Sequence, residues 1–225
     1  MVIKVETIIK FISFYIMALI VVGLFLFLPA WTLDYWEAWA YIGVIFVPAF
    51  FVITYFLIYD PEFMLRRMQF REKEAQQRRI IGFSYIFFII GFLLPGFDHR
   101  FGWSNIPIGL VIAADVLVFL GYMIVIMVFR ENRYASRTIR VEKEQKVIDT
   151  GPYSMIRHPM YLGQVIMFLA TPIALGSYWA ILPFLSIPVV LVYRILNEEE
   201  VLTRELPGYK EYCQKTRYRL IPYIW

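Results

Sequence analysis

Cysteine is almost missing from this chain, with Cys213 the single example in 225 residues. No intramolecular disulfide can form, and no set of cysteine ligands exists for a structural zinc. Cys213 itself reads as a small apolar residue, buried or interfacial. Histidine is nearly as scarce, at His99 and His158, and the topology derived below places the two on opposite sides of a membrane, so no metal is expected. Charge is sparse as well. Only 18% of the residues are charged against 60% hydrophobic and 19% aromatic, too apolar for a domain that must show water a polar surface. The net charge of +4 raises the question of nucleic acid, but the basic residues flank apolar runs instead of forming a separate soluble module. No nucleic acid is expected; anionic lipid headgroups are the partner these residues fit.

What the chain has in quantity is long apolar runs. Four lie at about Ile8 to Leu28, Trp39 to Tyr59, Ile80 to Phe97 and Ile106 to Phe129, each near the ~20 residues that cross a ~30 Å hydrocarbon core. The first follows Lys4 and Lys10 and resembles a signal peptide, but it is long for one and Leu28-Pro29-Ala30 is a poor cleavage site, so it is taken as span 1. The block from Met160 to Leu196 is about twice a single span and carries Gly176-Ser177 near its middle. It reads as a helical hairpin with its tip at Gly176, a short first arm and a second arm kinked by Pro183 and Pro188. The expected fold is all-α, a polytopic transmembrane bundle of four spans (residues 1–129) followed by a C-terminal unit (residues 130–225) of polar connector, hairpin and tail.

The charge distribution orients it. With six membrane segments, 21 of the 22 Lys and Arg residues fall on one side and only Arg100 on the other. The positive-inside rule makes that side cytoplasmic, with both termini there. Trp31, Tyr35, Trp36 and Trp39 cluster where an aromatic belt would anchor spans 1 and 2. Asp115, deep in span 4, is expected to make an interhelical hydrogen bond. The loop from Pro61 to Arg79 mixes apolar and basic residues and suits either an interfacial helix or a solvated linker.

Polar residues converge in two places. Between span 4 and the hairpin, Thr138 to Val141 alternates like an extended segment, Asp149-Thr-Gly-Pro152 is turn chemistry, and His158-Pro159 marks a helix start. After the second arm, Arg194 and Glu198 lie four apart on one helix face, while Glu199 turns about 100° away. Antiparallel hairpin arms bring Arg157, His158, Tyr161, Arg194 and Glu198 together at the cytoplasmic interface.

These motifs, VIDTGPYSMIRHPMYLG, then RILNEE, then LPGYKEYCQKTRYRLIP, resemble the C-terminal half of the isoprenylcysteine carboxyl methyltransferase family. Over the same region that family is similar to phospholipid N-methyltransferases and, more remotely, to membrane steroid reductases. The resemblance spans about Asn132 to Trp225. It implies S-adenosylmethionine as methyl donor in a cytoplasmic cofactor pocket, with a lipidic or prenylated acceptor arriving from the bilayer. By motif, the adenosyl part falls to Gln145, Lys146, Val147, Ile148 and Tyr153. The methionine part falls to His158, Pro159, Met160 and Tyr161, its ammonium to Glu198, and the acceptor to Arg194.

The acceptor's protonation state separates the options. A carboxylate is ionised at pH 7, needs no base and suits Arg194. An amine must first lose a proton, which calls for a base such as Glu199; a nicotinamide-dependent reductase is the third option. His158 serves either orientation and cofactor contact or proton transfer. The charge count is directly checkable. Single cysteines introduced near either terminus of a Cys213→Ser background should react with impermeant thiol reagent only after permeabilisation, and one beside Arg100 should react without it.

Overall fold

A bilayer offers backbone amides no hydrogen-bonding partners, so a spanning chain must satisfy them within helices. The computed structural model of the chain follows that constraint throughout the residues it describes, which are 5–67, 75–135, 141–142 and 144–225, with the backbone alone at 75–81, 83 and 84. Helices α1 (Val5–Ala30), α2 (Trp36–Tyr59) and α4 (Ala75–Phe101) contain the first three expected spans, α5 (Ile108–Glu131) starts two residues after the fourth was expected to begin, and no strand occurs among the described residues. Three of these, with the stretch Ile181–Glu205, are long and apolar enough to cross a membrane on the described residues. The loop after span 2 begins as a short helix, α3 (Pro61–Arg67), started by the Asp60 carboxylate, which accepts the Phe63 N–H at 3.1 Å. Of the extended segment expected at Thr138–Val141, residues 138–140 lie outside the described residues and Val141 is irregular.

The hairpin comprises α6 (Pro159–Ala174), α7 (Ile181–Phe184) and α8 (Ser186–Glu205). Its first arm stops where the sequence places the tip. Gly176 takes φ +71°, its N–H bonds to the Ile173 carbonyl at 3.0 Å, and the Ser177 N–H bonds to Pro172 at 2.9 Å. This is a Schellman closure, which glycine's missing Cβ permits. The second arm breaks at Leu185 yet keeps helical backbone there. Pro188 has no N–H to offer the Phe184 carbonyl one turn back, which accounts for the kink.

Sixteen residues of α6 rise only about 24 Å, short of a full crossing, so the tip needs protein partners for its polar groups. It has them. The Tyr35 hydroxyl donates to the Leu175 carbonyl at 2.5 Å, and the Asp98 carboxylate accepts from Ser177 Oγ at 2.5 Å and from the Ser104 N–H and hydroxyl at 2.7 Å each. Tyr35 therefore departs from the belt expected of it. It is buried and stacked on His99 at 4.2 Å, whereas Trp31, Trp36 and Trp39 are exposed. Asp115 departs as well, for its buried Oδ1 has no hydrogen-bond partner.

The two arms do not pack chiefly on each other: α6 lies along α5, and α7 and α8 lie against α4. The α5–α6 contact is made by two glycines. A Cβ on Gly163 would fall 2.6 Å from the Gly121 carbonyl oxygen, and one on Gly121 the same distance from the Gly163 carbonyl. Small residues let membrane helices approach this closely. Gly163→Ala should therefore force backbone apart and cost about 1–3 kcal/mol, read as a lower thermal midpoint in detergent. Gly43→Ala, with open space around the new methyl, should not lower it.

Candidate functional site

The start of α6 and the end of α8 meet at the end of the bundle that also carries α3 and the connector. Proline at the first position of α6 presets helical φ and keeps the preceding residue out of the α region. His158 accordingly has φ −126° and ψ 58°. The freed N–H groups of Arg157 and His158 donate to the carbonyls of Tyr218 and Arg219, both at 2.9 Å. The tail thus runs alongside the motif and clamps it.

One turn into α6, the buried Tyr161 hydroxyl accepts from Arg194 Nε at 2.9 Å and donates to Glu198 Oε2 at 2.5 Å. Arg194 and Glu198 stand one turn apart on α8, so the phenol sits between cation and anion and fixes both. Glu199 faces away from this ladder. Its carboxylate lies 3.1 Å from His158 Nε2, 3.2 Å from Arg157 Nε and 2.8 Å from Arg219 Nε. Glu199 is the base considered for an amine acceptor. Three cationic or protonatable groups occupy its oxygens, and it does not line the cleft described next.

That cleft lies between the arms and under the connector. Its walls include Gln145, Lys146, Val147, Ile148, Tyr153, His158, Met160, Tyr161, Arg194 and Glu198, so one concavity gathers the residues singled out by sequence except Pro159 and Glu199. Pro159 is buried at the head of α6 and shapes the turn without facing the space. The connector enters through Glu144, whose φ of +64° is left-handed, and Gln145 Oε1 accepts the Glu142 N–H at 2.9 Å.

Other wall residues were not singled out from the sequence. Asn132, at the end of α5, donates through Nδ2 to the Tyr153 hydroxyl at 2.9 Å. Tyr212, on α9 (Tyr209–Lys215), donates to the Tyr153 carbonyl at 2.8 Å. Leu202, Leu206 and Tyr209 complete the apolar side. Burial pushes the phenols of Tyr153, Tyr209 and Tyr212 well above the ordinary tyrosine range, so all three are neutral donors at pH 7. The buried Tyr209 hydroxyl has no protein acceptor, whereas Arg157 Nε faces the Glu199 carboxylate at 3.2 Å. The signal for Tyr209 and Tyr212 was present in Pro207-Gly208-Tyr209-x-x-Tyr212, a helix break followed by two tyrosines on one face. From α3, Arg67 donates to the Ala135 carbonyl at 2.9 Å and lies 4.1 Å over the Phe129 ring. Helix α3 thus holds Ala135 in the cleft wall.

Residues 110–208 match the phospholipid methyltransferase family, a family of integral membrane methyltransferases that includes isoprenylcysteine carboxyl methyltransferase-like proteins. Over 94 residues the chain is 33% identical to a protein named Delta(14)-sterol reductase from Mus musculus, covering 39% of this chain and 22% of the reductase. Over 134 residues it is 25% identical to a nickel-cobalt-cadmium resistance protein from Alcaligenes xylosoxydans xylosoxydans, covering 52% of this chain and 62% of that protein. The aligned stretches span less than two thirds of either relative.

The arrangement around Glu199 makes a prediction that a base would not. Removing one partner of a buried ion pair costs about 3–5 kcal/mol, so Glu199→Ala should lower the thermal midpoint in detergent far more than Glu200→Ala, which alters an exposed side chain. A Glu199→Ala protein with unchanged stability and only a reduced turnover would contradict this role.

Proposed function

We propose, from the phospholipid methyltransferase match over residues 110–208, that this chain is an integral membrane methyltransferase using S-adenosylmethionine to methylate the carboxylate of a lipophilic, isoprenylcysteine-like acceptor. The observation that carries this reading is the Arg194–Tyr161–Glu198 ladder on the wall of the cleft between the hairpin arms.

The residues present fit the donor. A carboxylate has about four lone-pair sites, so Glu198 can accept from Tyr161 and still take an ammonium. Val147, Ile148, Leu202 and Leu206 supply an apolar wall for an adenine. The faces of Tyr153 and Tyr161 tolerate a cationic sulfur. When bound, S-adenosylmethionine supplies a methyl carbon on a sulfonium, a group displaced in line as the carbon–sulfur electron pair returns to sulfur.

The protein's part is positioning and exclusion of water. Arg194 holds the acceptor carboxylate through charge-assisted hydrogen bonds, with its side chain fixed by Tyr161. No proton has to move, because a carboxylate is already ionised at pH 7, and this agrees with a cleft from which Glu199 is turned away. Beside Arg194, Tyr193 is exposed on the helix surface, where its ring gives a lipophilic acceptor an approach. With the basic residues oriented by the positive-inside rule, the cleft opens toward the cytoplasm beside anionic headgroups.

A second reading has its own support, since the 33% identity to the sterol reductase favours a nicotinamide-dependent membrane reductase on the same scaffold. Calorimetric titration separates the two. S-adenosylmethionine should bind the detergent-solubilised protein and NADPH should not; the reverse result would remove the methyltransferase reading. Label transferred from the donor's methyl group into a lipid extract should be released as methanol by alkali, as from a methyl ester, whereas retention would indicate N-methylation. Arg194→Gln should lower kcat/KM for the acceptor by about 10- to 100-fold, the worth of a hydrogen bond to a charged group.

A further inference from the structure

Tyr209 lines the cleft, is 4% exposed, and has a buried hydroxyl with no acceptor in the protein. A buried donor left without an acceptor is costly, because water solvates it in the unfolded chain. Its ring is held firmly, packed with Leu206 and Tyr212 in a small apolar cluster that also takes in Val147 and Leu202. The surroundings say what the hydroxyl awaits. Its electrostatic neighbours include Glu198, Glu199 and Arg157, and Arg157, on the same cleft, brings a positive charge whose Nε lies 3.2 Å from Glu199. A carboxylate with lone pairs to spare, an unused hydroxyl donor and a guanidinium already paired to Glu199, all on one cleft, form the complement of an α-amino acid head group, which carries an ammonium and a carboxylate on the same carbon.

We infer that the Tyr209 hydroxyl, assisted by Arg157, receives the carboxylate of the methyl donor's amino-acid end while Glu198 receives its ammonium. This rests on the methyltransferase reading above. Tyr209 is then a specificity residue, for it distinguishes a donor bearing a free amino acid from one that has lost its carboxylate, and from a nicotinamide dinucleotide, which has no ammonium for Glu198.

The test compares two ligands on two proteins. S-adenosylmethionine and its decarboxylated analogue are titrated by calorimetry into the detergent-solubilised wild type and Tyr209→Phe, a substitution that keeps the ring and removes only an atom the protein does not bond. Tyr209→Phe should weaken S-adenosylmethionine by about 10- to 100-fold and leave the decarboxylated analogue within about twofold. Equal weakening of both ligands would overturn the proposal by making Tyr209 a packing residue. So would an unchanged affinity for S-adenosylmethionine, which at the same time leaves the methyltransferase reading intact. If wild type binds neither sulfonium but binds NADPH, the methyltransferase reading fails and this proposal fails with it, whatever Tyr209→Phe does to NADPH.

Discussion

Adjacent carboxylates on α8 diverge by about 100° around the helix, and the geometry of the polar end follows from that divergence. Glu198 is drawn toward α6 through the Tyr161 hydroxyl, and the same phenol takes the guanidinium of Arg194. Glu199 gathers Arg157, His158 and Arg219, which ties the entrance of α6 and the tail to α8. Charges placed at the edge of hydrocarbon are costly unless paired and hydrogen-bonded. Here the pairing also joins three segments distant in sequence. A single turn of helix thus closes the hairpin, seats the tail and fixes the two groups on which the functional reading depends.

Much of this arrangement was legible because membranes make the code simple. Run length reported the spans, and Gly176 reported the tip, since few other residues tolerate its backbone. The spacing of Arg194 and Glu198 placed both on one face, and antiparallel arms required them to meet Tyr161. Other parts depended on contacts that no local pattern encodes. Glu199 carries the chemistry of a base and sits beside the cleft, but whether its oxygens are available depends on Arg219, twenty residues away in a tail whose path the sequence does not reveal. Tyr35 sits among interfacial tryptophans and matches them in composition. It is buried because the tip of a short hairpin needs a donor for the Leu175 carbonyl. Asp115 read as half of an interhelical bond, but a lone acid in a span does not specify a partner.

The cleft wall has a further dependency. Ala135 is held by Arg67 of α3, and the Arg133 carbonyl accepts from Arg66 at 3.2 Å. Helix α3 is short and basic, and its buried Phe63 and Met64 pack with Phe56 and Val128. The connection between the second and third spans therefore contributes to a pocket assembled mainly from the C-terminal unit, and the division of the chain at residue 130 separates segments in sequence more than in space.

Unequal fastening at the two ends of the hairpin has a mechanical consequence. At the tip, Asp98, Tyr35 and the Schellman closure engage backbone and buried hydroxyls, and α6 is locked to α5 by two glycines in backbone contact. At the cleft, the arms are joined through side chains alone. A swing of α8 about the tip would widen the cleft, like a lever with its fulcrum at the opposite end of the bundle. Over the roughly 30 Å of α8's 20 residues, a rotation of about 5° displaces the mouth by about 3 Å, so a small tilt of one helix suffices to change what the opening admits.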